Sequence, residues 1–480
     1  MLRHGATYGL GTLANRLAGF VLLPFYTREI PAAELGALFV LVATGGFLTT
    51  FLGLGMSSAI FRFHYRNEEA RERDRVIASA FVAVVGAATL VLALLWIARG
   101  PICRLLLGDD SLTHLYGAML AGVFFDVALF VPLGLLRVQE RSGRYTLLSV
   151  LRFLITITLA VWLVVGREMG AYGVLIATAV TSALVFVVAG RGVLQRLGAG
   201  VSRPLTRGLL RFGVPIMLAT IGGVLVDSSD LWLLRAFAGA EEVSHYGAIY
   251  RIAKILHVIV IQPFILVWPA VMWSVAERPE GHAVYKRTLT YAVATIACAA
   301  LGVSLFRGEL ISIIATPAFL DAAWVLPWIA FGFVFLLSTY VLNSGITLSG
   351  RTEFITWTMV ITVAVNVGLN LWLIPEHGMR GAAVATFAAY AVMAVAMTGF
   401  GQRLHPIAYD WRRLGTLVVL SGGLVAVGLP LENVDGLAGI LLRLLVLAAF
   451  PAVVLSPFFM SGAERRGLLD VLERARAGRR

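Results

Sequence analysis

The chain has 480 residues, of which 59% are hydrophobic and only 14% are charged, and its mean hydropathy is +0.87. Soluble domains contain roughly 45–50% apolar and about 25% charged residues, so this composition excludes a soluble globular protein. The basic residues behind the net charge of +12 lie in short loops between apolar segments, and we therefore interpret them as a sign of membrane topology and expect no nucleic-acid partner.

Apolar stretches of about 20 residues recur along the chain, and each can cross a hydrocarbon core of roughly 30 Å as a helix. They predict an all-α integral membrane protein with about fourteen transmembrane helices. The approximate spans are 5–27, 35–59, 77–98, 113–136, 145–165, 170–190, 208–235, 246–273, 288–306, 323–345, 354–374, 380–400, 414–430 and 438–459. We interpret the first as an uncleaved span, because no small-residue cleavage site follows a short apolar core.

The loops between these spans form two alternating sets with very different charge. One set, with the two ends of the chain, holds 27 Lys and Arg residues, and the other holds seven. Cytoplasmic loops carry the excess of basic residues in membrane proteins. We therefore predict that both termini are cytoplasmic and that the number of spans is even.

An internal repeat is visible in the predicted fifth and eleventh spans. Both open with Ser-Gly-Arg, at 142–144 and 349–351, and both end in a glycine-containing turn, at 169–173 and 378–381. The offset of about 207 residues contains six spans, which predicts two parallel six-helix lobes with a substrate site between them. The alternative is chance similarity between two apolar hairpins. The predicted domains are a first lobe at 1–200, a second lobe at 201–405, and two extra helices with a basic tail at 406–480.

Charged residues inside the predicted spans need an explanation, because each costs about 2.5–3.5 kcal/mol at the bilayer centre on insertion scales. The residues are Arg16, Asp126, Arg152, Asp227, Asp230, Arg251, Lys254 and Arg443. We expect Arg443, near one end of its span, to extend its side chain to the membrane surface, as Arg152 could with more difficulty. The others are expected to face the protein interior or a water-filled cavity.

Two pairs of charges lie at similar depth in the seventh and eighth spans. Arg251 and Lys254 are three residues apart and share a helix face, which His257 continues. Asp227 and Asp230 lie in the preceding span. This arrangement predicts a cation site beside an anion site, and the alternative is a structural ion pair between adjacent helices.

A second polar group is predicted at the same depth. Asn366 and Asn370 are four residues apart on the eleventh span, and Thr386 lies on the twelfth. Oxygen ligands from Asp, Asn and Thr suit a hard cation such as Na⁺. Hydrogen bonding between helices, which is common for Asn and Thr in membranes, is the alternative.

Three stretches of the sequence resemble a known family. They are Leu-Pro-Phe-Tyr-Thr-Arg at 23–28 with Glu-Leu-Gly at 34–36, Asp-Leu-Trp-Leu-Leu at 230–234 with Tyr-Gly-Ala-Ile-Tyr-Arg-Ile at 246–252, and Asn-Val-Gly-Leu-Asn-Leu-Trp-Leu-Ile-Pro at 366–375 with Gly378, Gly-Ala-Ala at 381–383 and Ala-Thr at 385–386. In order and spacing they resemble the polysaccharide-transporter branch of the multidrug/oligosaccharidyl-lipid/polysaccharide exporter superfamily, the lipid-linked oligosaccharide flippases. Fourteen spans is the usual number in that family.

The resemblance implies a V-shaped, two-lobed transporter rather than an enzyme. Such proteins carry polyprenyl-diphosphate-linked sugars from the cytoplasmic to the outer leaflet, and basic residues of the central cavity meet the diphosphate. Here Arg16, Arg251 and Lys254 are the candidates. Asp126, Arg152, Asp227 and His257 are candidates for a supporting role.

The resemblance also implies a coupling ion, since related lipid II flippases hold Na⁺ in the second lobe. Asp230, Asn366, Asn370 and Thr386 fall where such a site lies. Because Asn370 stands where a second carboxylate can occur, Na⁺, H⁺ and the membrane potential all remain open as driving forces. No other cofactor is expected. We expect a monomer in a bacterial or archaeal plasma membrane, in contact with membrane lipids, with polysaccharide polymerase machinery as a candidate partner.

Three other functions remain open. A lipid II flippase differs only in its sugar. A cation-coupled multidrug antiporter of the same superfamily has twelve spans and a cavity dominated by carboxylates and aromatic residues. A membrane polysaccharide polymerase or glycosyltransferase usually needs a large catalytic loop outside the membrane, whereas the longest loops predicted here have about twenty residues. The chain contains no G-x-x-x-x-G-K-[ST] motif for ATP use.

Overall fold

The structure, a computed structural model, describes residues 19–278, 281–462 and 464–466, and these residues form α-helices joined by short turns. The helices are α1 (Leu23–Glu29), α2 (Ala32–Leu52), α3 (Met56–Arg66), α4 (Ala70–Ile97), α5 (Arg99–Leu107), α6 (Thr113–Ala128), α7 (Phe130–Val138), α8 (Ser142–Val161), α9 (Gly170–Leu194), α10 (Arg203–Phe237), α11 (Ala240–Leu256), α12 (Gln262–Ser274), α13 (Gly281–Leu305), α14 (Arg307–Ile314), α15 (Val325–Leu342), α16 (Ser344–Leu348), α17 (Glu353–Leu404), α18 (Trp411–Gly428) and α19 (Gly436–Val454). Short 3₁₀ or π turns occur at Trp162–Gly166, Gln195–Ala199, His257–Ile261, Pro317–Ala322 and Leu429–Asn433.

Twelve helical segments of the described residues are long and apolar enough to cross a membrane. One of them, α17, has 52 residues and would measure about 78 Å if it were straight, more than twice the hydrocarbon thickness. Gly378 interrupts it with a φ of +53°, at the turn between the predicted eleventh and twelfth spans. The predicted first span lies mostly outside the described residues. The all-α membrane fold is confirmed, and the observed spans are consistent with about fourteen in all.

Helices extend further into the predicted loops than expected. The loop predicted at 60–76 is reduced to residues 67–69, because α3 continues to Arg66 and α4 begins at Ala70. The loop predicted at 191–211 is helical except near residues 200–202. Apolar composition indicates where a helix leaves the hydrocarbon core. It does not indicate where the backbone hydrogen bonds end, since charged side chains are tolerated on a helix in water.

The same contact occurs twice in the structure, 208 residues apart. Glu34 accepts a hydrogen bond of 2.7 Å from the backbone N–H of Ala171, and Glu242 accepts one of 2.8 Å from Met379. Each donor follows a glycine whose φ is positive, +52° and +53° respectively. We call α1–α9 the first lobe and α10–α17 the second lobe, so each lobe contains one copy of this contact.

The lobes meet along α2 and α3 of the first lobe and α10 and α11 of the second. A Cβ added to Gly36 would lie 1.9 Å from the carbonyl oxygen of Ala240. Further along the same candidate span, Ala32–Arg66, a Cβ on Gly55 would lie 2.0 Å from the carbonyl oxygen of Gly213. Cβ atoms do not approach other atoms this closely. Glycine at 36 and 55 therefore permits direct backbone contact between the lobes at two places along the interface.

The two C-terminal helices pack on the second lobe through α13. Arg443 of α19 is only 3% exposed and donates hydrogen bonds of 3.0 Å to Glu309 and to the carbonyl oxygen of Leu305. The prediction that Arg443 reaches the membrane surface is therefore wrong. Glu309 of α14, a short helix not predicted from the sequence, neutralises the charge inside the protein.

A second charged contact fastens the segment after α19. Glu464 accepts hydrogen bonds from Arg413 of α18, at 3.0 Å, and from Ser461. Burial alone would raise the pKa of Glu464, but these hydrogen bonds outweigh burial and lower the pKa to about 2. Glu464 is therefore ionised at neutral pH and holds this segment against α18.

Candidate functional site

A cavity of about 300 Å³ lies between the lobes. Phe39, on α2, lines it from the first lobe, and α10 and α11 line it from the second. Four of the predicted charged residues contribute to its wall: Asp227, Asp230, Arg251 and Lys254. The charged residues of two consecutive helices thus line one cavity, as expected for charges that avoid lipid.

Lys254 is neutralised inside this cavity. Its Nζ lies 3.1 Å from Oδ2 of Asp227. The other carboxylate oxygen of Asp227 accepts hydrogen bonds from the hydroxyls of Tyr250, at 3.2 Å, and Tyr390, at 3.0 Å. For this pair the structure matches the alternative of an ion pair between adjacent helices. Both side chains remain about two-fifths exposed.

Arg251, one turn away on the same helix, is in a different electrostatic state. Its Nη1 donates a hydrogen bond of 3.0 Å to the carbonyl oxygen of Gly247. Its guanidinium carbon lies 3.6 Å from the ring centroid of Phe39. Among the described residues, no carboxylate lies within 4.0 Å of its guanidinium nitrogens. The cavity therefore contains a positive charge that no acidic side chain of the described residues neutralises.

Two other residues were predicted to belong to the anion site, and neither is among the described residues that line the cavity. Arg16 lies outside the described residues. His257 begins the π turn after α11, and its ring centroid lies 6.0 Å from that of Phe333. His257 does not line the cavity, whereas the next residue, Val258, does.

Asp126 and Arg152 form a separate ion pair inside the first lobe. Arg152 of α8 donates to the Asp126 carboxylate of α6, and it also donates to Ser182 of α9 at 3.1 Å. The Ser182 hydroxyl donates to Asp126 at 2.5 Å. Neither charged residue lines the cavity between the lobes. Arg152 does not extend to the membrane surface, because its carboxylate partner is within the lobe.

Asp230 is almost fully buried, with 1% exposure. The hydroxyl of Tyr246 donates to one carboxylate oxygen, and the backbone N–H of Leu231 donates to the other at 2.9 Å. The same tyrosine hydroxyl lies 3.5 Å from the hydroxyl of Thr386. Tyr246 therefore links two of the residues that were predicted as cation ligands.

The two predicted asparagines form an adjoining group. The side-chain oxygen Oδ1 of Asn366 accepts hydrogen bonds from the Ser229 hydroxyl, at 2.9 Å, and from the side-chain amide Nδ2 of Asn370, at 3.4 Å. Both asparagines are fully buried, yet Nδ2 of Asn366 and Oδ1 of Asn370 have no hydrogen-bond partner among the residues that the structure describes. A buried polar atom without a partner is costly, and an amide oxygen such as that of Asn370 is a ligand type that a hard cation accepts.

Four functional residues were missed from the sequence. Tyr246 and Tyr250 are four residues apart on α11 and lie within a motif that carries the family resemblance, so helical spacing could have identified them. Tyr390 and Phe39 offered no such signal. An aromatic residue inside an apolar helix usually packs against other apolar residues, and only the packing of the helices places these two rings beside charges.

The sequence was compared with protein families. Residues 1–272 match the family of polysaccharide biosynthesis proteins, and this match covers more than half of the chain. The chain belongs to this family. The matched region contains the four charged residues of the cavity wall, and the predicted resemblance is confirmed.

Two individual proteins are similar to this chain over most of its length. A protein of Haloferax volcanii named probable low-salt glycan biosynthesis flippase Agl15 is 24% identical over 408 residues, which cover 84% of each chain. Among solved structures, the lipid II flippase MurJ in an inward closed conformation superposes with a TM-score of 0.74 at 15% identity, covering 93% of this chain and 98% of the other.

A second solved structure has a related fold. An inward-facing multidrug resistance transporter of the MATE family, from the MOP superfamily, superposes with a TM-score of 0.68 at 18% identity, covering 82% of this chain and 94% of the other. At these identities the two structures show a shared fold. This chain therefore shares its fold with the lipid II flippase and with the MATE transporter.

Proposed function

We propose that this protein is a flippase that moves a polyprenyl-diphosphate-linked oligosaccharide, a precursor of a cell-surface polysaccharide, from the cytoplasmic to the outer leaflet. The observation that carries the proposal is Arg251, a positive charge in a cavity between two lobes that has no acidic partner in the described part of the chain. A secondary transporter, rather than an enzyme, is the activity that this arrangement supports. The name of the Haloferax volcanii relative favours a glycan flippase over a multidrug antiporter.

The chemistry of the cavity suits a diphosphate. A diphosphate carries roughly two negative charges, which hydrocarbon excludes. Arginine stays charged and offers a planar fork that pairs with phosphate oxygens. Outward movement of two negative charges is favoured by about 4–5 kcal/mol per 100 mV when the cytoplasm is negative. The lipid tail needs no polar contact and can remain in the bilayer.

A coupling cation is a further part of the proposal. Asp230, Asn366, Asn370 and Thr386 would hold Na⁺, and the free amide oxygen of Asn370 supports this choice. A bound cation would supply positive charge beside the cavity. If this site couples transport to Na⁺, Asp230→Asn will change the Na⁺ dependence of flipping, whereas retained dependence would place the coupling site elsewhere. The alternative is that transport is coupled to H⁺ through protonation of Asp230. Flipping by Asp230→Asn in a pH gradient tests this alternative.

We further propose that the protein is a monomer in a bacterial or archaeal plasma membrane with both termini in the cytoplasm. The excess of basic residues in one set of loops supports this orientation. A polysaccharide polymerase in the same membrane is the proposed consumer of the flipped lipid.

Reconstitution into proteoliposomes tests the function directly. A fluorescent polyprenyl-diphosphate-linked oligosaccharide and fluorescent lipid II are compared, and their transfer between leaflets is followed with an impermeant quencher. A Na⁺ gradient, a pH gradient and a potassium diffusion potential are applied separately. We expect transfer of the oligosaccharide lipid. Transfer of lipid II alone would replace the proposed substrate with the peptidoglycan precursor.

The matched variants are Arg251→Gln and Arg167→Gln. Arg167 also lies near an aromatic ring, 5.3 Å from that of Trp162, but it is outside the cavity. We expect Arg251→Gln to abolish transfer while the protein still elutes as a folded species, and Arg167→Gln to leave transfer unchanged. Unchanged transfer by Arg251→Gln would remove Arg251 from the site and with it the observation that carries the proposal.

A further inference from the structure

The guanidinium of Arg251 is held between groups from both lobes. Gly247, on its own helix, accepts a hydrogen bond from one guanidinium nitrogen. Phe39, on α2 of the first lobe, presents its ring 3.6 Å from the guanidinium carbon. An arginine has five N–H donors, so this arrangement occupies one donor and one face and leaves four donors for an anion.

The position of Phe39 depends on a glycine in the opposite lobe. A Cβ on Gly247 would lie 2.4 Å from Cδ2 of Phe39, a distance that would force the ring away. Phe39 is only 1% exposed, so its ring is confined. The residue that accepts the hydrogen bond from Arg251 is thus also the residue that makes room for the ring on Arg251.

A comparison of Arg251 with Lys254 shows why the contact between the Arg251 guanidinium and the Phe39 ring matters. Lys254 is oriented by a carboxylate, and an anion must compete with Asp227 to reach it. A carboxylate beside Arg251 would likewise oppose anion binding. An aromatic ring attracts a cation through its quadrupole without supplying a negative charge, so it can orient the guanidinium and leave its charge available.

We propose that Phe39 is the positioning residue of Arg251 and that the diphosphate site is assembled across the lobe boundary. This inference rests on the proposed function, since it assigns a role to a residue beside the proposed diphosphate anchor. Because the two residues belong to different lobes, a movement that separates α2 from α11 removes the ring from the guanidinium. The complete anion site therefore exists only while these helices are in contact.

The test is a double-mutant cycle on the full-length protein, with farnesyl diphosphate as the probe and its affinity measured by titration calorimetry. Phe39→Leu should weaken binding roughly tenfold, the effect of losing one desolvated cation–π contact. In the Arg251→Gln background, Phe39→Leu should cause no further loss, because the residue acts through Arg251. Phe39→Met, which keeps a large apolar side chain without a ring, provides a second variant if Phe39→Leu is poorly folded.

Phe47→Leu is the matched control. Phe47 lies on the same helix, two turns further on, and contacts Trp232 rather than a cation, so its removal should leave affinity unchanged. Wild-type affinity in Phe39→Leu and Phe39→Met, or an equal loss in the two Arg251 backgrounds, would overturn the positioning role. Wild-type affinity in Arg251→Gln would instead overturn the proposed diphosphate site itself.

Discussion

Two cationic side chains one helical turn apart have different partners in this protein. Lys254 pairs with Asp227, whereas Arg251 contacts an aromatic ring and a backbone carbonyl. The family resemblance implied that both are diphosphate ligands, and their spacing places them on one face of the helix. Spacing alone cannot show which of two cations is neutralised, since Asp227 comes from another helix.

The ion pair of Lys254 leads to a prediction about anion affinity. Asp227→Asn should raise the affinity for farnesyl diphosphate roughly two- to fivefold, because it frees Lys254 from a partly exposed ion pair worth at most about 1 kcal/mol. Lys254→Ala should lower the affinity. Equilibrium titration measures both. Asp126→Asn is the control, since Asp126 is also ion-paired but does not line the cavity. A drop in affinity in Asp227→Asn would show that the carboxylate supports the site rather than competing for Lys254.

At the scale of helices, the turns that contain Gly170 and Gly378 are the clearest trace of the internal repeat. Each places a glycine in the left-handed region and directs the next backbone N–H to a glutamate at the start of another helix. The repeated glycine-containing turns were visible in the sequence. The glutamates at 34 and 242 were not identified as their partners, because they lie more than 130 residues away and only the packing of the helices brings them near.

Gly378→Ala should therefore lower the free energy of unfolding by about 1–3 kcal/mol, because Gly378 has φ +53° and ψ −133°, a backbone conformation that residues with a Cβ avoid. The added Cβ would also lie 2.8 Å from Oε2 of Glu242. Thermal unfolding in detergent, followed by tryptophan fluorescence, measures the change. Gly368→Ala on the same helix is the control, since nothing lies within 4 Å of its added Cβ. Equal stability of the two variants would refute the strain at Gly378.

On the scale of the whole molecule, the lobes touch through backbone at two levels, Gly36 with Ala240 and Gly55 with Gly213. The first contact lies at the start of α2 and α11, and the second joins the start of α3 to the first third of α10. The charged cavity lies along the same interface. Glycine at these positions permits close approach of the lobes without a side chain to hold them permanently together.

Gly213→Ala should move the lobes apart near this contact, because its Cβ would lie 2.3 Å from the carbonyl oxygen of Leu54. Spin labels at Glu68 and Arg207, both exposed, should give longer distances by double electron–electron resonance. Gly223→Ala on the same helix, where the added Cβ meets nothing within 4 Å, should leave the distances unchanged. An unchanged distance distribution in Gly213→Ala would show that the backbone contact does not limit the approach of the lobes.

The charge asymmetry of the loops predicts the orientation of the whole protein. An impermeant maleimide should label Gly198→Cys only from the cytoplasmic side and Asp110→Cys only from outside, in a background without Cys103 and Cys298. Both engineered positions are exposed. The first lies in a turn of the strongly basic set of loops and the second in the weakly basic set. Labelling with the opposite sidedness would invert the proposed topology.

Hydropathy, charge and motif spacing were sufficient to predict the membrane class, the approximate spans, the internal repeat and the charged residues that must avoid lipid. These are local properties, because hydrophobic length and charge bias act on each segment where it meets the bilayer. Only the tertiary structure decided the partners of those charges: Asp227 for Lys254, Glu309 for Arg443 and Phe39 for Arg251. Partner choice depends on how helices from distant parts of the chain pack and rotate against one another, so the electrostatic state of the cavity follows from the fold.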